Sequence, residues 1–232
     1  MSDFKIDFSS FQKEWDKIGK RKENIILINN FLKKKDIKIF YDYVEKYKDS
    51  ENFRGGKSLN QNFIKKDNFD VYSLLIEYQD KIYEEVKSYF VEKLGVKVRK
   101  TPNTPIHFVK WENGMSSVLH ADCEKQDGTP VFEANFYRLN ISSLIYINDN
   151  YEGGSIEFPE YDFYLKPSRG SLVIFPSNHK HLVTEVKGSN NRYTMPMWFT
   201  FDLENLFESS GNFDAKNSID LFKKDNESYN SY

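Results

Sequence analysis

The chain has 232 residues, enough for one substantial domain or for a domain with a helical appendage. Lys and Arg number 33 against 35 Asp and Glu, a net charge of −2 that gives no electrostatic basis for a nucleic-acid or anionic-membrane partner. One cysteine excludes an intrachain disulfide framework and fits a reducing compartment, and no apolar run approaches a membrane span, so a cytoplasmic location is expected.

The opening "MSDFKIDFSSFQKEWDK" is too charged for a secretory signal. Residues 1–100 are rich in Lys and Glu and carry helical periodicity. Within them, "ENIILINNFL" predicts a short strand at 25–28, ended by Asn29 and Asn30. A helix follows through "KKDIKIFYDYVEKY", with Ile37, Ile39, Phe40, Tyr43 and Val44 expected on one face. The polar, glycine-containing "DSENFRGGKSLNQNFIKKDNFD" reads as a long loop, either a lid or a surface connector. Next, "YSLLIEYQDKIYEEVKSYFVEKLG" predicts a longer helix with a stripe of Leu75, Tyr78, Ile82, Val86 and Phe90, capped by Gly95.

From Pro102 the pattern changes: β-branched and aromatic residues alternate with polar ones between turn clusters such as "ENG", "NDNYEGG", "KPSRG" and "KGSNN". Strands are expected near 105–111, 117–121, 138–147, 155–158, 171–175, 181–186 and 192–202. Short strands in that number, with aromatics (16% of the chain) to fill the space between them, indicate a jelly roll. The expected fold is therefore α+β, a double-stranded β-helix over 101–203 with residues 1–100 as helical support in the same domain. Beyond Leu203 the periodicity is lost, and 204–232 is expected to be a loosely packed tail.

Within "SSVLHADCEK", His120 and Asp122 are two apart and share a face if the backbone stays extended. Taken alone, a His-x-Asp pair is more often a surface polar pair than a ligand pair. A further histidine arrives from "GSLVIFPSNHKHLVTEV", where His179 and His181 share parity; His181 is preferred because its strand continues, while His179 sits in the preceding turn. Two imidazoles and one carboxylate on one side of a metal suit non-haem Fe(II) chemistry, because the opposite positions stay open. His107, on an earlier strand, reads as a core or pocket histidine, and Cys123 reads as packing. In "RYTMPMWFTFD", alternation places Arg192, Thr194, Pro196, Trp198 and Thr200 together, and in "NISSLIYIND" it places Asn140, Ser142, Leu144, Tyr146 and Asn148 together. The second set is too polar for a core face and suits a pocket lining. A guanidinium fork beside a tyrosine hydroxyl is matched to a carboxylate.

The segment 106–202 resembles the Fe(II)/2-oxoglutarate-dependent dioxygenases, specifically the prolyl 4-hydroxylase-like branch. The resemblance lies in "WENGMSSVLHAD", "LIYINDNYEGGSIEFP", "KPSRGSLVIFPSNHKHLVTEV" and "NRYTMPMWF", in the family's order and near its spacings. It implies that His120, Asp122 and His181 are the iron ligands, that Arg192 takes the distal carboxylate of 2-oxoglutarate, and that Tyr146 supports it. It implies Fe(II), 2-oxoglutarate and O2, with ascorbate as a candidate reductant, and hydroxylation of an aliphatic C–H bond with release of succinate and CO2. A peptidyl proline is the leading substrate, and a free amino acid or small metabolite is the alternative. A non-catalytic jelly-roll binding module is the competing reading from another class. The chain departs from the family pattern at Trp111, where a tyrosine is usual, in the turn carrying "GSNN", and in the longer loop after Asp122, "CEKQDGTPVFEANFY".

Overall fold

The stripe Leu75, Tyr78, Ile82, Val86 and Phe90 recurs every three to four residues, and all five side chains are fully buried. They lie on α4 (Phe69–Val86) and the π-helical turn Lys87–Lys93 that continues it, which Gly95 closes by donating its N–H to the Val91 carbonyl. This computed structural model describes residues 8–51, 53–54, 58–100, 106–124 and 139–201. The tail expected over 204–232 and most of the loop after Asp122 lie outside the described residues.

Two long helices lie nearer the start of the chain. They are α1 (Phe8–Ile18) and α2 (Lys34–Lys46), separated by β1 (Ile26–Ile28). On α2 the buried residues are Asp36, Phe40, Tyr43 and Val44, and Ile39 is 43% exposed. The correction follows from helical geometry: at 100° per residue Ile39 falls at the flank of the buried arc rather than inside it. The stretch expected to be a long loop instead holds a hairpin, β2 (Phe53–Arg54) with β3 (Ser58–Leu59), and a short helix, α3 (Gln61–Asp67). Asn60 caps α3 by accepting from Phe63 N at 2.9 Å, and Asn68 caps α4 by accepting from Val71 N at 3.1 Å.

The strands that follow are β4 (Phe108–Trp111), β5 (Ile141–Tyr146), β6 (Glu152–Gly153), β7 (Ile156–Phe158), β8 (Phe163–Leu165), β9 (Leu172–Pro176), β10 (Leu182–Val183), β11 (Val186–Lys187) and β12 (Arg192–Phe199). A seven-stranded antiparallel sheet has the order β1-β9-β5-β12-β4-β3-β2. Facing it are the smaller groups β10-β7-β8 and β11-β6. The segment at 114–120 runs beside β10 and β11, with Gly114 N on Val186 O, Ser117 N on Val183 O and His120 N on His181 O. It forms an isolated bridge at His120–His181 rather than the strand expected over 117–121, because the chain turns at Asp122–Cys123. The strand expected over 181–186 is likewise broken into β10 and β11.

Two cores result. On one face of the large sheet, Ile141, Ile145, Met195, Met197 and Phe199 pack against the α4 stripe and Phe40. Between the two sheets, Tyr146, Ile156, Phe158, Val173 and Phe175 form a second cluster. Neighbouring residues of β5 and β9 thus go to different cores, as a sheet covered on both faces requires. No helix among the described residues is long and apolar enough to cross a membrane.

Candidate active site

Between the sheets, next to the second core, lies a cavity of ≈ 270 Å³ lined by His120, Asp122, His181 and Arg192 together with His107, Trp111, Leu144, Val183 and Trp198. His120, Asp122 and His181 each bring one ligand atom to within 4.8 Å of the others, which makes them the one His/Cys/Asp/Glu group among the described residues able to hold a metal ion. Asp122 Oδ1 is 3.4 Å from His120 Nε2 and 3.8 Å from His181 Nε2.

Backbone carbonyls set the tautomers. His120 Nδ1 lies 2.8 Å from Val118 O, and His181 Nδ1 lies 3.0 Å from His179 O. A carbonyl only accepts, so each Nδ1 carries the proton, and in the neutral ring each Nε2 keeps a lone pair facing Asp122. Burial pushes the His181 imidazole below its ordinary value, whereas the hydrogen bond that a protonated Nε2 makes to Asp122 raises that of His120. Burial alone would raise the Asp122 carboxyl. The His181 imidazole, His120, the Ser142 hydroxyl and the Trp198 indole together hold it well below the usual carboxylate range instead.

The rival histidine points elsewhere. His179 is fully buried, its Nε2 is 3.1 Å from Arg21 O, and its ring lies beside Tyr161. The Cys123 thiol, a free cysteine pushed up to about 12 by burial, is not part of the cluster. His107 lines the cavity and stacks on Trp198 with ring centroids 6.4 Å apart.

Arg192 is 1% exposed, and its guanidinium lies 5.5 Å from the Trp111 ring and 5.0 Å from the Tyr146 ring. Its terminal nitrogen donates to Tyr146 Oη at 3.3 Å, while Nε is buried without a partner. Tyr151 Oη is buried and unpartnered as well. Burial pushes the Tyr151 phenol up to about 12, against the opposing pull of the nearby Arg192 charge. A buried cation with an orphaned donor is costly unless an anion completes it. A dicarboxylate reaching from the His/Asp/His cluster to Arg192 fits that requirement. Alternation puts Ser142 on the pocket-lining face of β5 and Trp198 on the face of β12 shared with Arg192, but no sequence signal marks either as a partner of the Asp122 carboxylate, and Ser177, which bonds Ser142, carries none.

Residues 106–200 match the family model described as the 2OG-Fe(II) oxygenase superfamily. No curated protein matches the chain at a significant level. Among solved structures, the chain is similar to a viral collagen prolyl hydroxylase from Paramecium bursaria Chlorella virus-1, at 16% identity and a TM-score of 0.56, over 77% of this chain and 96% of that one. A Pseudomonas putida prolyl-4-hydroxylase aligns with a TM-score of 0.53 and 16% identity, over 77% and 93% of the two chains. A Trichoplax adhaerens prolyl hydroxylase, solved with a hypoxia-inducible-factor peptide fragment, aligns with a TM-score of 0.57 and 17% identity, over 87% and 96%. At these identities the structural likeness establishes the double-stranded β-helix fold, with its supporting N-terminal helices.

Proposed function

We propose that this chain, whose residues 106–200 match the 2OG-Fe(II) oxygenase superfamily model, is a 2-oxoglutarate-dependent dioxygenase that hydroxylates an aliphatic C–H bond of a peptide, with a prolyl side chain as the leading target. In this reading His120, Asp122 and His181 hold Fe(II), and Arg192 with Tyr146 holds the distal carboxylate of 2-oxoglutarate. The observation that carries it is the pairing of the three-residue ligand cluster with a buried, incompletely partnered arginine in the same cavity. Bound iron and 2-oxoglutarate would let O2 act as the oxidant, one oxygen atom going to the C–H bond and the other to succinate, with release of CO2.

The protein's own residues do the positioning. The guanidinium of Arg192 offers a planar fork to a carboxylate, and the Trp111 and Tyr146 rings hold its plane. Trp111, where the family usually has a tyrosine, thus contributes a ring face. Leu144, Ile156, Phe175 and Val183 line the cavity with apolar surface that keeps bulk water from the ligand cluster. Exposed Val118 and Leu119, immediately before His120, put apolar side chains near the metal ligands where a peptide could rest. The peptide reading draws further support from the similar fold of the Trichoplax prolyl hydroxylase, which was solved with a peptide fragment.

Anaerobic addition of Fe(II) and 2-oxoglutarate to the purified protein should produce the visible charge-transfer band of a chelated iron–oxoacid complex. A folded sample with no band at saturating 2-oxoglutarate would overturn the metal and cosubstrate assignment. Succinate release stimulated by proline-containing peptides, and not by free amino acids, is the expected substrate result. The reverse preference would replace the peptide with a small metabolite.

A further inference from the structure

Asp122 divides its two carboxylate oxygens between different tasks. Oδ2 accepts from Ser142 Oγ at 2.6 Å and from Trp198 Nε1 at 2.8 Å. Oδ1 faces the Nε2 atoms of His120 and His181. Ser142 and Trp198 are directly opposed across β5 and β12, so a single cross-strand pair presents both donors to one oxygen. Behind it, Ser142 Oγ lies 2.7 Å from Ser177 Oγ. Ser142 has one hydroxyl proton, and an ionised carboxylate can only accept, so Ser142 donates to Asp122 and accepts from Ser177. Ser142 and Ser177 are 2% and 0% exposed, which gives this relay a dry setting where such bonds are strong. Ser177 also accepts the Cys123 N–H through its carbonyl at 3.4 Å and so ties the backbone after Asp122 to the end of β9.

The geometry points to Ser142 and Trp198 as positioning residues that hold Asp122 to one-oxygen coordination of the metal, an inference that rests on the ligand assignment proposed above. The consequence is a count of positions. A metal held by His120, His181 and a single oxygen of Asp122 would keep its remaining positions open for a chelating oxoacid and for oxygen. If both Asp122 oxygens bound, one of those positions would be lost. Engaging Oδ2 twice on its far side removes the competing lone pairs and fixes the carboxylate rotamer.

The test uses the full chain, the substitutions Trp198→Phe and Ser142→Ala, and Mn(II) as the probe, with no 2-oxoglutarate present. Mn(II) dissociation constants are read beside apo melting temperatures and beside the metal-minus-apo infrared difference spectrum, in which one-oxygen and two-oxygen carboxylate ligation have different band separations. Wild type should show the one-oxygen pattern. Each variant should bind Mn(II) about 10- to 100-fold more weakly, and the band separation should shift towards two-oxygen ligation. Ser142→Ala keeps the test decisive if Trp198→Phe disturbs packing against His107. Variants that bind Mn(II) like wild type with an unchanged spectrum would overturn the inference, as would a lowered melting temperature with metal affinity intact. Wild type that binds no Mn(II) would instead sink the ligand assignment itself.

Discussion

Adding one methyl group at Gly154 should separate the architecture of the arginine pocket from general stability. Gly154 has φ +61°, and a Cβ there would lie 3.0 Å from Arg192 Cδ, 3.0 Å from Tyr151 Cε2 and 3.2 Å from Val186 Cγ2. The left-handed backbone alone costs an L-residue about 1–2 kcal/mol. For a chain of this size that corresponds to a fall in Tm of roughly 2–8 °C. The contacts add a directed effect: the stem of Arg192 must move, while its guanidinium is already held between Trp111 and Tyr146. Losing one charge-assisted hydrogen bond from the fork is worth about 1.5–3 kcal/mol, or on the order of 10- to 100-fold in affinity. Gly154→Ala should therefore raise KM for 2-oxoglutarate at least about tenfold on that scale, with Mn(II) affinity in the absence of 2-oxoglutarate unchanged. Gly153→Ala is the control, because its Cβ would fall 2.0 Å from the Glu185 carbonyl oxygen and force β6 and β11 apart. It should cost more stability and show no selective effect on 2-oxoglutarate. Succinate release against 2-oxoglutarate concentration and thermal melts measure both. A Gly154→Ala protein with lowered Tm and wild-type KM would refute the reasoning that the missing Cβ makes room for Arg192.

Three more outcomes are expected. His181→Ala should abolish tight Mn(II) binding, while His179→Ala should keep it and lose about 1–3 kcal/mol of stability for the abandoned contact with Arg21 O; isothermal titration and denaturant melts distinguish the two. Arg192→Lys keeps the charge but loses the fork and its stacking, so 2-oxoglutarate affinity should fall about 10-fold or more while metal affinity holds, as measured by quenching of the iron–oxoacid band on dilution. Chelator-treated protein should gain about 2.7 kcal/mol of stability when Mn(II) is restored at 100 times its Kd, seen as a rise in Tm that His120→Ala removes.

Where signals are local, the sequence is a good guide to this molecule. The α4 stripe follows from period alone, and each member is fully buried. The polar even-numbered face of β5 and the arginine of β12 follow from alternation, and both meet at the cavity. What escapes depends on distant pairing. The β2–β3 hairpin has only two residues a strand and is held in the large sheet through Ser58 and Leu59 against β4, a contact no local pattern announces. Its neighbour α3 was legible in principle, since an asparagine cap stands before each of the adjacent helices in "LNQNFIKKDNFD". At the site, alternation names the faces but not the register. That Ser142 sits opposite Trp198, so that both reach one oxygen of Asp122, needs the pairing of β5 with β12.

That register is itself held by polar clamps at the two ends of β5. At one end, Asn140 Oδ1 accepts from Phe201 N at 2.8 Å and from Thr200 Oγ1 at 3.1 Å. At the other, Asn148 Oδ1 accepts from Tyr193 N at 2.8 Å while its Nδ2 donates to Asn191 O at 2.8 Å. Both asparagines are buried, so a slip would leave their amides unpaired in a dry setting. A one-residue slip would also turn Ile141 and Ile145 towards the cavity and Ser142 and Tyr146 towards the helices. Hydrophobic burial on the helix side and ligand geometry on the cavity side therefore depend on the same alignment. The two asparagines read in sequence as polar members of a pocket face, but they bond backbone at the strand ends. There they hold in register the strand pair that presents Ser142, Arg192 and Trp198 to the cavity and sets Tyr146 against Arg192.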